Sequence, residues 1–521
     1  MRHALVDSFA QIASGASRAR PWPADRVLWR EWAVVALVMG LALYRFSVTV
    51  ADPDLWGHIK FGETIWRSGR VAQPDPFSYL TSGRLWVDHE WLSEVVFYLV
   101  FKTAGAFGLI TMKAALGVAV TAVLYWHLSR QGLTALRGGI LIVLVIHFFL
   151  MSLVTVRTLI FSYPLLLLVL LLIHDGTSRW SNRIWILPAS FALWANLHPG
   201  FLAGLGVLSI WATVEILTGH LAVRRGCILL VTCGLATAVN PYGPMLWGFL
   251  VRTAFVPRPE ISEWQPLVLM TRFGLAYAAL VGIALWGVIY SRLPRRASLM
   301  VVLAVTTLLP LIALRHAPLA ALAIAVIAGP HIGDAWRRSA STRGVPGRAS
   351  AWLPVGALAG ALVLGTAALP HFSCIRVSPE IGGGYPARVV GLIRESGIAA
   401  NLAIDFDWGE YALYHLAPAI KVSVDGRRET AYDEATYAEN LAFKYGEGEW
   451  DALLRDHNTD LALVRTGFPT FNLMMLSPGW RPIQRDSLAT LFGREGRPAT
   501  EALLRRPPPA LPPDGAGLCF P

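Results

Sequence analysis

Residues 51–92 read ADPDLWGHIKFGETIWRSGRVAQPDPFSYLTSGRLWVDHEWL and follow directly on the first long apolar segment of the chain. Carboxylates and imidazoles are interleaved here with large aromatic side chains of the kind that lie at a membrane surface. A loop that only connects two helices does not need this combination. We therefore interpret the stretch as the floor of a polar site. Its carboxylates and imidazoles are Asp52, Asp54, His58, Glu63, Asp75, Asp88, His89 and Glu90.

The chain is too apolar for an ordinary soluble protein. Of its 521 residues, 55% are hydrophobic and 15% are charged, and the mean hydropathy is +0.50. Charged residues make up about 25% of a typical soluble domain. Apolar segments of roughly 17–25 residues recur through residues 31–370, and each can cross about 30 Å of hydrocarbon as a helix. The composition predicts a polytopic α-helical membrane protein.

Charge alternates from one turn between apolar segments to the next. Five arginines between residues 2 and 30 precede the first span, and the carboxylate-rich 51–92 loop follows it. Because basic residues concentrate in cytoplasmic loops, we predict a cytoplasmic segment 1–30 and an external 51–92 loop. The net charge of +11 is then a topology signal rather than evidence for nucleic-acid binding. The predicted spans, about eleven, are 32–50, 107–128, 136–154, 159–173, 184–197, 201–217, 227–239, 273–290, 300–314, 318–328 and 353–369, and segment 90–104 is predicted to lie in the interface.

The composition changes after residue 370, where no further span appears. Strand patterns at 402–406, 420–424, 461–464 and 488–492 alternate with helical patterns at 387–394, 434–444 and 449–456. This alternation predicts a soluble α/β domain at 371–505, followed by a Pro-rich tail at 506–521. An odd number of spans places the domain outside, with the 51–92 loop. Cys374 and Cys519 bracket it, and in an oxidising compartment they either pair or remain free thiols.

Several polar residues fall in turns on the same predicted side as the 51–92 loop. The predicted topology follows from the basic turns alone, so this shared side is an independent indication of one site. The two arginines are the exception, because the same rule has to accommodate their charge. The residues are Arg157, Asn196, His198, Asn240, Tyr242, Glu263, Arg315 and His316.

Asp52 and Asp54 are the candidate catalytic residues. A single Asp just outside a span commonly caps the next helix. Two of them, with His58 at helical spacing, form a cluster in which the pKa of one carboxylate can be raised so that it acts as a base. Ionisable residues at a membrane site favour this functional interpretation.

The cationic residues suggest an anionic ligand. Arg157 and Arg315 adjoin very apolar helices, where a lone Arg often extends to lipid headgroups. Together with His316 they also suit phosphate, which Arg contacts through two nitrogens at once. Asn196, His198, Asn240 and Tyr242 either terminate helices or line the site.

His89 and Glu90 could hold a divalent metal ion, because imidazole and carboxylate are common ligands. Their spacing does not form the H-E-x-x-H zinc signature. Hydrogen bonds that tie the loop together are the alternative role for this pair.

The phrases DPDLWGH, PDPFSY, HEWL, WANLHPG, NPYG and VDGR resemble a group of bacterial membrane proteins of GT-C-like architecture. An N-terminal span that leads into a long acidic external loop, many further spans and an outward α/β domain is similar to the GT-C class of membrane glycosyltransferases. That class includes protein O-mannosyltransferases, aminoarabinose transferases and oligosaccharyltransferase catalytic subunits. The acceptor-binding WWD-type motif of the last group is absent from the tail.

The resemblance implies a multi-pass protein of the bacterial inner membrane with a periplasmic C-terminal domain. It implies transfer of a sugar from a polyprenyl-phosphate carrier, a membrane lipid, to an acceptor on the outer face. An Asp of the first external loop, here Asp54 or Asp52, would be the general base. Arg157, Arg315 and His316 would hold the phosphate, while His58, His89 and Glu90 would shape the loop or bind a metal.

Two alternatives belong to other classes. A transporter or flippase for a lipid-linked or anionic substrate would bury ionisable residues at mid-membrane and often consists of two related halves. Here the polar residues gather on one face and no internal repeat is visible. A non-catalytic envelope assembly partner would use its tail to bind other proteins and would not need the loop aspartates.

Overall fold

The computed structural model of the protein describes residues 26–71, 74–175, 182–254, 261–341, 352–377, 384–506 and 519–521. Most of the predicted N-terminal segment and of the Pro-rich tail lies outside the described residues. Fourteen α-helices precede residue 370 in the described ranges. They are α1 Arg26–Ser47, α2 Pro53–Ser68, α3 Trp91–Arg130, α4 Ala135–Leu153, α5 Ser162–Asp175, α6 Leu187–Leu197, α7 Phe201–Leu217, α8 Val223–Ala236, α9 Met245–Ala254, α10 Arg272–Tyr290, α11 Ala297–Leu308, α12 Ala317–Ala323, α13 Gly329–Ser341 and α14 Leu353–Ala368.

The protein is a multi-pass helical membrane protein. In the described ranges, five helical segments are long and apolar enough to cross a membrane, and shorter apolar helices lie at Ala135–Phe149, Phe201–Leu217 and Ala297–Leu311. Helices also occupy the other predicted spans, but several have too few residues to cross by themselves. The count of eleven spans therefore stays a prediction. The five segments are Trp91–Arg130, Thr158–Asp175, Arg272–Tyr290, Leu314–Ser339 and Leu353–Ser373.

A kink divides α3 at Gly105. This residue has φ +58° and ψ −150°, a backbone conformation that glycine adopts without a steric penalty from Cβ. The predicted boundary between the interfacial segment 90–104 and the span from residue 107 falls at this kink. The part of α3 before Gly105 thus runs in a different direction from the longer part after it.

Helix α2 carries the middle of the 51–92 loop. Pro53 occupies its first turn, and Gly69, in the left-handed conformation, ends it. Leu55, Trp56 and Ile59 are buried where α2 packs on α3 and on a helix of the C-terminal part. The middle of the loop is therefore a helix packed against its neighbours and not a flexible connection between two spans.

The C-terminal part contains five strands, β3 Ala400–Ile404, β4 Ile420–Val422, β5 Leu461–Arg465, β6 Trp480–Arg485 and β7 Ala489–Arg494. They form one mixed sheet in the order β4-β3-β5-β7-β6. Strands β3, β4 and β5 are parallel, and β7 is antiparallel to β5 and β6. The helices of this part are α15 Ala387–Ser396, α16 Phe406–Leu416, α17 Arg428–Ala431, α18 Glu434–Tyr445, α19 Ala452–Arg455, α20 Pro469–Leu476 and α21 Pro498–Leu504.

The 51–92 loop and the C-terminal part are joined by backbone pairing. Strand β1 (Val50–Ala51) pairs in parallel with β2 (Arg376–Val377). At the edge of the larger sheet, the Val422 amide donates to the Phe77 carbonyl at 3.1 Å, and the Tyr79 amide donates to the Val422 carbonyl at 3.2 Å. The loop therefore extends the sheet beside β4.

Buried charge and a disulfide reinforce this junction. The Arg427 guanidinium donates to Asp75 at 2.7 Å and to Asp425 at 2.7 Å, and all three side chains are buried. Cys374 is bonded to Cys519, which is one of the two alternatives predicted for this pair. The bond holds Phe520 against Trp56 of α2, with their ring centroids 5.1 Å apart.

Candidate active site

Arg157 binds three carboxylates from two separate parts of the chain. Its Nε donates to Asp52 Oδ2 at 2.5 Å, its Nη2 to Asp54 Oδ2 at 3.0 Å and its Nη1 to Glu263 Oε2 at 3.3 Å. The 51–92 loop and the turns, which we predict to lie on one side of the membrane, are thus in direct contact at Arg157. Four of the predicted site residues meet at one guanidinium.

Local structure brings these side chains together. Asp52 lies at the N-cap of α2, but its carboxylate makes no capping hydrogen bond and turns to Arg157 instead. Arg157 directly precedes the 3₁₀ turn Thr158–Phe161, and the Val50 amide donates to the Val154 carbonyl at 2.8 Å. This hydrogen bond fixes the Arg157 segment beside the start of the loop.

The two aspartates differ in exposure. The Asp52 side chain is 3% exposed, whereas the Asp54 side chain is 33% exposed. Burial raises the pKa of the Asp54 carboxyl above its usual range, the Arg157 cation opposes this shift, and the Asp52 charge adds to it. Asp54 is therefore the better placed of the two to take a proton from a ligand, and Asp52 holds Arg157.

A fourth carboxylate, Glu410 of α16, borders Gly426 together with Asp54. Glu410 is 4% exposed, and its buried Oε2 has no hydrogen-bond partner among the residues that the structure describes. A Cβ at Gly426 would lie 2.5 Å from Glu410 Oε1 and 2.9 Å from Asp54 Oδ1, so the two oxygens are close neighbours. Burial, reinforced by the Asp54 charge, raises the pKa of Glu410 well above its usual range.

A second polar group adjoins the first. Glu90 Oε1 lies 3.6 Å from His198 Nε2 and 3.8 Å from His89 Nε2, and His58 Nδ1 lies 3.1 Å from Glu94 Oε1. Burial by itself would raise the pKa of Glu90, but the charge of the nearby His89 imidazole, the largest opposing cause, lowers it below its usual value.

His198 is held as a neutral imidazole. Its Nδ1 accepts from the Gly200 amide at 2.8 Å and lies 2.9 Å from Ser162 Oγ. Because Nδ1 is an acceptor, the ring proton is assigned to Nε2, which faces Glu90. Burial lowers the pKa of His198 to about 3. Among the described residues, no group of three or more His, Cys, Asp or Glu is arranged to hold a metal ion.

Arg315 lies next to the turn that carries Glu263. Its guanidinium Cζ lies 4.2 Å from the ring centroid of Trp264, and the Leu314 amide donates to the Gln265 carbonyl at 2.9 Å. His316 follows Arg315 in the same 3₁₀ turn, Leu314–His316. Arg315 thus lies beside the turn that contributes Glu263 to the Arg157 cluster.

The remaining predicted residues are engaged with the protein itself. Asn196 Oδ1 accepts from Trp91 Nε1 at 2.9 Å, and its Nδ2 donates to two carbonyls. Asn240 bonds within its own turn, where its Oδ1 accepts from the Tyr242 amide at 2.8 Å. The Tyr242 hydroxyl accepts from the Asp88 amide at 2.8 Å. These contacts favour the helix-terminator interpretation, and a role in ligand binding stays a prediction.

Sequence reasoning did not place Glu410, Glu94 or Tyr385 in the site. Glu410 follows a strand in the phrase DWGEY, and α/β folds place ligands after strand ends, but the sequence does not identify its partner. Tyr385 packs on Trp56 with ring centroids 4.4 Å apart, and burial, together with the charges of Asp52 and Asp54, raises its pKa. No motif in the sequence identifies it.

Solved structures share the fold of this chain, whereas no family model and no curated protein matches it. The crystal structure of ArnT from Cupriavidus metallidurans, bound to undecaprenyl phosphate, matches 89% of this chain and 97% of its own with a TM-score of 0.50 and 12% identity. The chain has the fold of the GT-C membrane glycosyltransferases. The GT-C fold is also seen in the arabinofuranosyltransferase AftD from Mycobacteria, with a TM-score of 0.51 and 15% identity over 90% of this chain. A mutant of AftD gives a TM-score of 0.53 and 16% identity over 89% of this chain. The chain spans 40% to 41% of the AftD length.

Proposed function

We propose that the protein is a membrane glycosyltransferase that moves a sugar from a polyprenyl-phosphate carrier to an acceptor hydroxyl, with Asp54 as general base. The observation that carries the proposal is the contact of Arg157 with Asp52 and Asp54 in a chain of GT-C fold. A partly exposed carboxylate and a guanidinium are the two groups that such a transfer requires.

The chemistry is a single displacement. Asp54 takes the proton of the acceptor hydroxyl, the acceptor oxygen forms a bond to the sugar C1, and the bond from C1 to the phosphate oxygen breaks. The electron pair leaves with the polyprenyl phosphate, whose charge the arginines offset. One base suffices for this step, so the product has inverted stereochemistry at C1.

Asp52 and Asp54 take different roles in this proposal. Asp52 is enclosed and holds Arg157 through its Oδ2, whereas Asp54 borders the accessible space. Arg157, Arg315 and His316 bind the phosphate. His58, His89 and Glu90 shape the floor of the loop. Their alternative role is to bind a divalent metal ion, and a loss of sugar transfer in the presence of a chelator would support that role.

The site and the C-terminal sheet lie in the periplasm of a bacterial inner-membrane protein in this proposal. The Cys374–Cys519 disulfide supports this side, because such bonds persist in oxidising compartments. The contact of the loop with the sheet means that both must share one compartment. The N-terminus is then cytoplasmic.

Membranes that contain the protein should transfer label from a radiolabelled lipid-linked sugar. Asp54→Asn should lower transfer by about 10²-fold or more, and Asp52→Asn should reduce it while the protein still accumulates. Glu63→Gln is the matched control, because Glu63 lies on the same helix and pairs only with Lys60 and Arg67 among the ion pairs seen. Full transfer by Asp54→Asn would exclude it as the base.

A further inference from the structure

We infer that Glu263 occupies, in the resting protein, the place on Arg157 that the carrier phosphate takes during the reaction. The inference rests on the proposed function and adds a step to it. Before the phosphate binds, Arg157 has an internal anion as its partner, and the phosphate must displace this anion.

The three carboxylates on Arg157 are not equivalent. Asp52 and Asp54 belong to the start of α2, and they lie at 2.5 Å and 3.0 Å. Glu263 comes from the separate 3₁₀ turn Ser262–Trp264 and lies at 3.3 Å. Its side chain is 42% exposed, more than either aspartate. Glu263 is therefore the longest and most accessible of the three contacts, and the one whose loss disturbs α2 least.

The negative charge of the cluster makes it unfavourable for Glu263 and the phosphate to bind Arg157 at the same time. One guanidinium faces three carboxylates, so the cluster already carries an excess of negative charge. A phosphate brought to the same guanidinium would lie a few ångströms from each of them, where like charges repel strongly in a partly buried site. Departure of Glu263 removes one of these charges and frees the Nη1 edge of Arg157. A guanidinium edge is well suited to phosphate oxygens.

The neighbourhood of Glu263 supplies a second cation. Trp264, the next residue, lies against the Arg315 guanidinium at 4.2 Å, and the turns of the two residues are joined by the hydrogen bond from the Leu314 amide to the Gln265 carbonyl. An anion that replaces Glu263 thus binds next to Arg315 as well as to Arg157. Both cations then serve the same phosphate.

The test compares the affinity of the detergent-solubilised full chain for undecaprenyl phosphate in wild type and Glu263→Gln. The amide keeps the shape and the acceptor oxygen but loses the charge, so the variant should bind about fivefold or more tightly. Its affinity for undecaprenol, which lacks phosphate, should equal that of the wild type. Glu434→Gln is the matched control, because Glu434 pairs with Arg428 at 3.1 Å outside the site, and it should leave both affinities unchanged.

Unchanged or weaker binding of undecaprenyl phosphate by Glu263→Gln would overturn the inference. If the wild type transfers sugar and binds the carrier, that result leaves the proposed function intact. A folded wild type that neither transfers sugar nor binds undecaprenyl phosphate would contradict both. An equal gain in affinity for undecaprenol would show that the change acts on the lipid chain rather than on the phosphate, and it would also overturn the inference.

Discussion

The carboxylate of Glu410 occupies the space that a side chain at Gly57 would need. A Cβ built on Gly57 lies 2.1 Å from Glu410 Oε2 and 2.8 Å from Oε1. On its other side Glu410 is confined by Gly426, beyond which Asp54 lies. The two glycines thus allow a buried acid from the C-terminal part to reach the candidate base on the 51–92 loop.

Gly57→Ala should destabilise the protein by about 1–3 kcal/mol, because the added methyl group overpacks an enclosed site. The loss should be smaller when Glu410 is already Ala, since the two changes share one space. A double-mutant cycle by thermal unfolding measures this coupling. Gly391→Ala is the control, because no atom of the described part of the chain lies within 4 Å of its Cβ position and the change raises helix propensity on α15. Equal losses in both backgrounds would contradict the packing described.

Glu410 should also make stability depend on pH. Burial raises its pKa in the folded chain above the ordinary 4.5, so the unfolded chain loses this proton first as the pH rises. Its contribution is therefore fully present below pH 4.5 and is lost as the pH rises through the folded pKa. The groups that face it are Asp54, Asp425, Glu94 and Arg427.

Glu410→Gln removes this titration and retains the shape. Thermal unfolding between about pH 5 and pH 8 should show the wild type losing stability relative to the variant as the pH rises. A constant difference between the two proteins over this range would show that Glu410 does not hold a proton in the folded state.

Arg427 should be a major determinant of the junction between the loop and the sheet. Arg427→Met leaves Asp75 and Asp425 buried without their cation, and loss of one partner of a buried ion pair costs about 3–5 kcal/mol. Arg455→Met is the control, because Arg455 pairs with carboxylates on the surface and should change the unfolding temperature little. Similar unfolding temperatures for the two variants would contradict a stabilising role of the buried cluster.

The Cys374–Cys519 disulfide should stabilise the site region. It joins residues 145 positions apart and places Phe520 on Trp56, two residues from Asp54. Cys374→Ser, or a reducing agent, should lower stability by about 2–5 kcal/mol. Cys227→Ser is the control, because Cys227 is a free cysteine. If reducing agent destabilises Cys374→Ser as much as the wild type, the effect does not come from this bond.

Sequence patterns predicted the helices and the shared side of Asp52, Asp54, Arg157 and Glu263, because basic residues and apolar periodicity determine topology. Such patterns do not identify which side chains contact each other in the folded protein. Arg157 and Glu263 are 106 positions apart, and the sequence does not state which cation meets which carboxylate.

The misses have physical causes. Strand β6 (Trp480–Arg485) was not predicted because it contains Pro482 and mostly polar residues at a half-exposed sheet edge. The predicted helix at 449–456 is shortened to Ala452–Arg455. The role of Glu410 depends on the absence of side chains at Gly57 and Gly426, and those residues come together only in the folded chain.

The most direct test of the central claim separates chemistry from binding at Asp54. Sugar transfer at saturating donor and the affinity for undecaprenyl phosphate would be measured for purified wild type and Asp54→Asn. If Asp54 is the base, kcat falls by about 10²-fold or more, while the carrier binds at least as well because a negative charge has been removed. Retention of kcat, or a loss confined to carrier binding, would contradict the account.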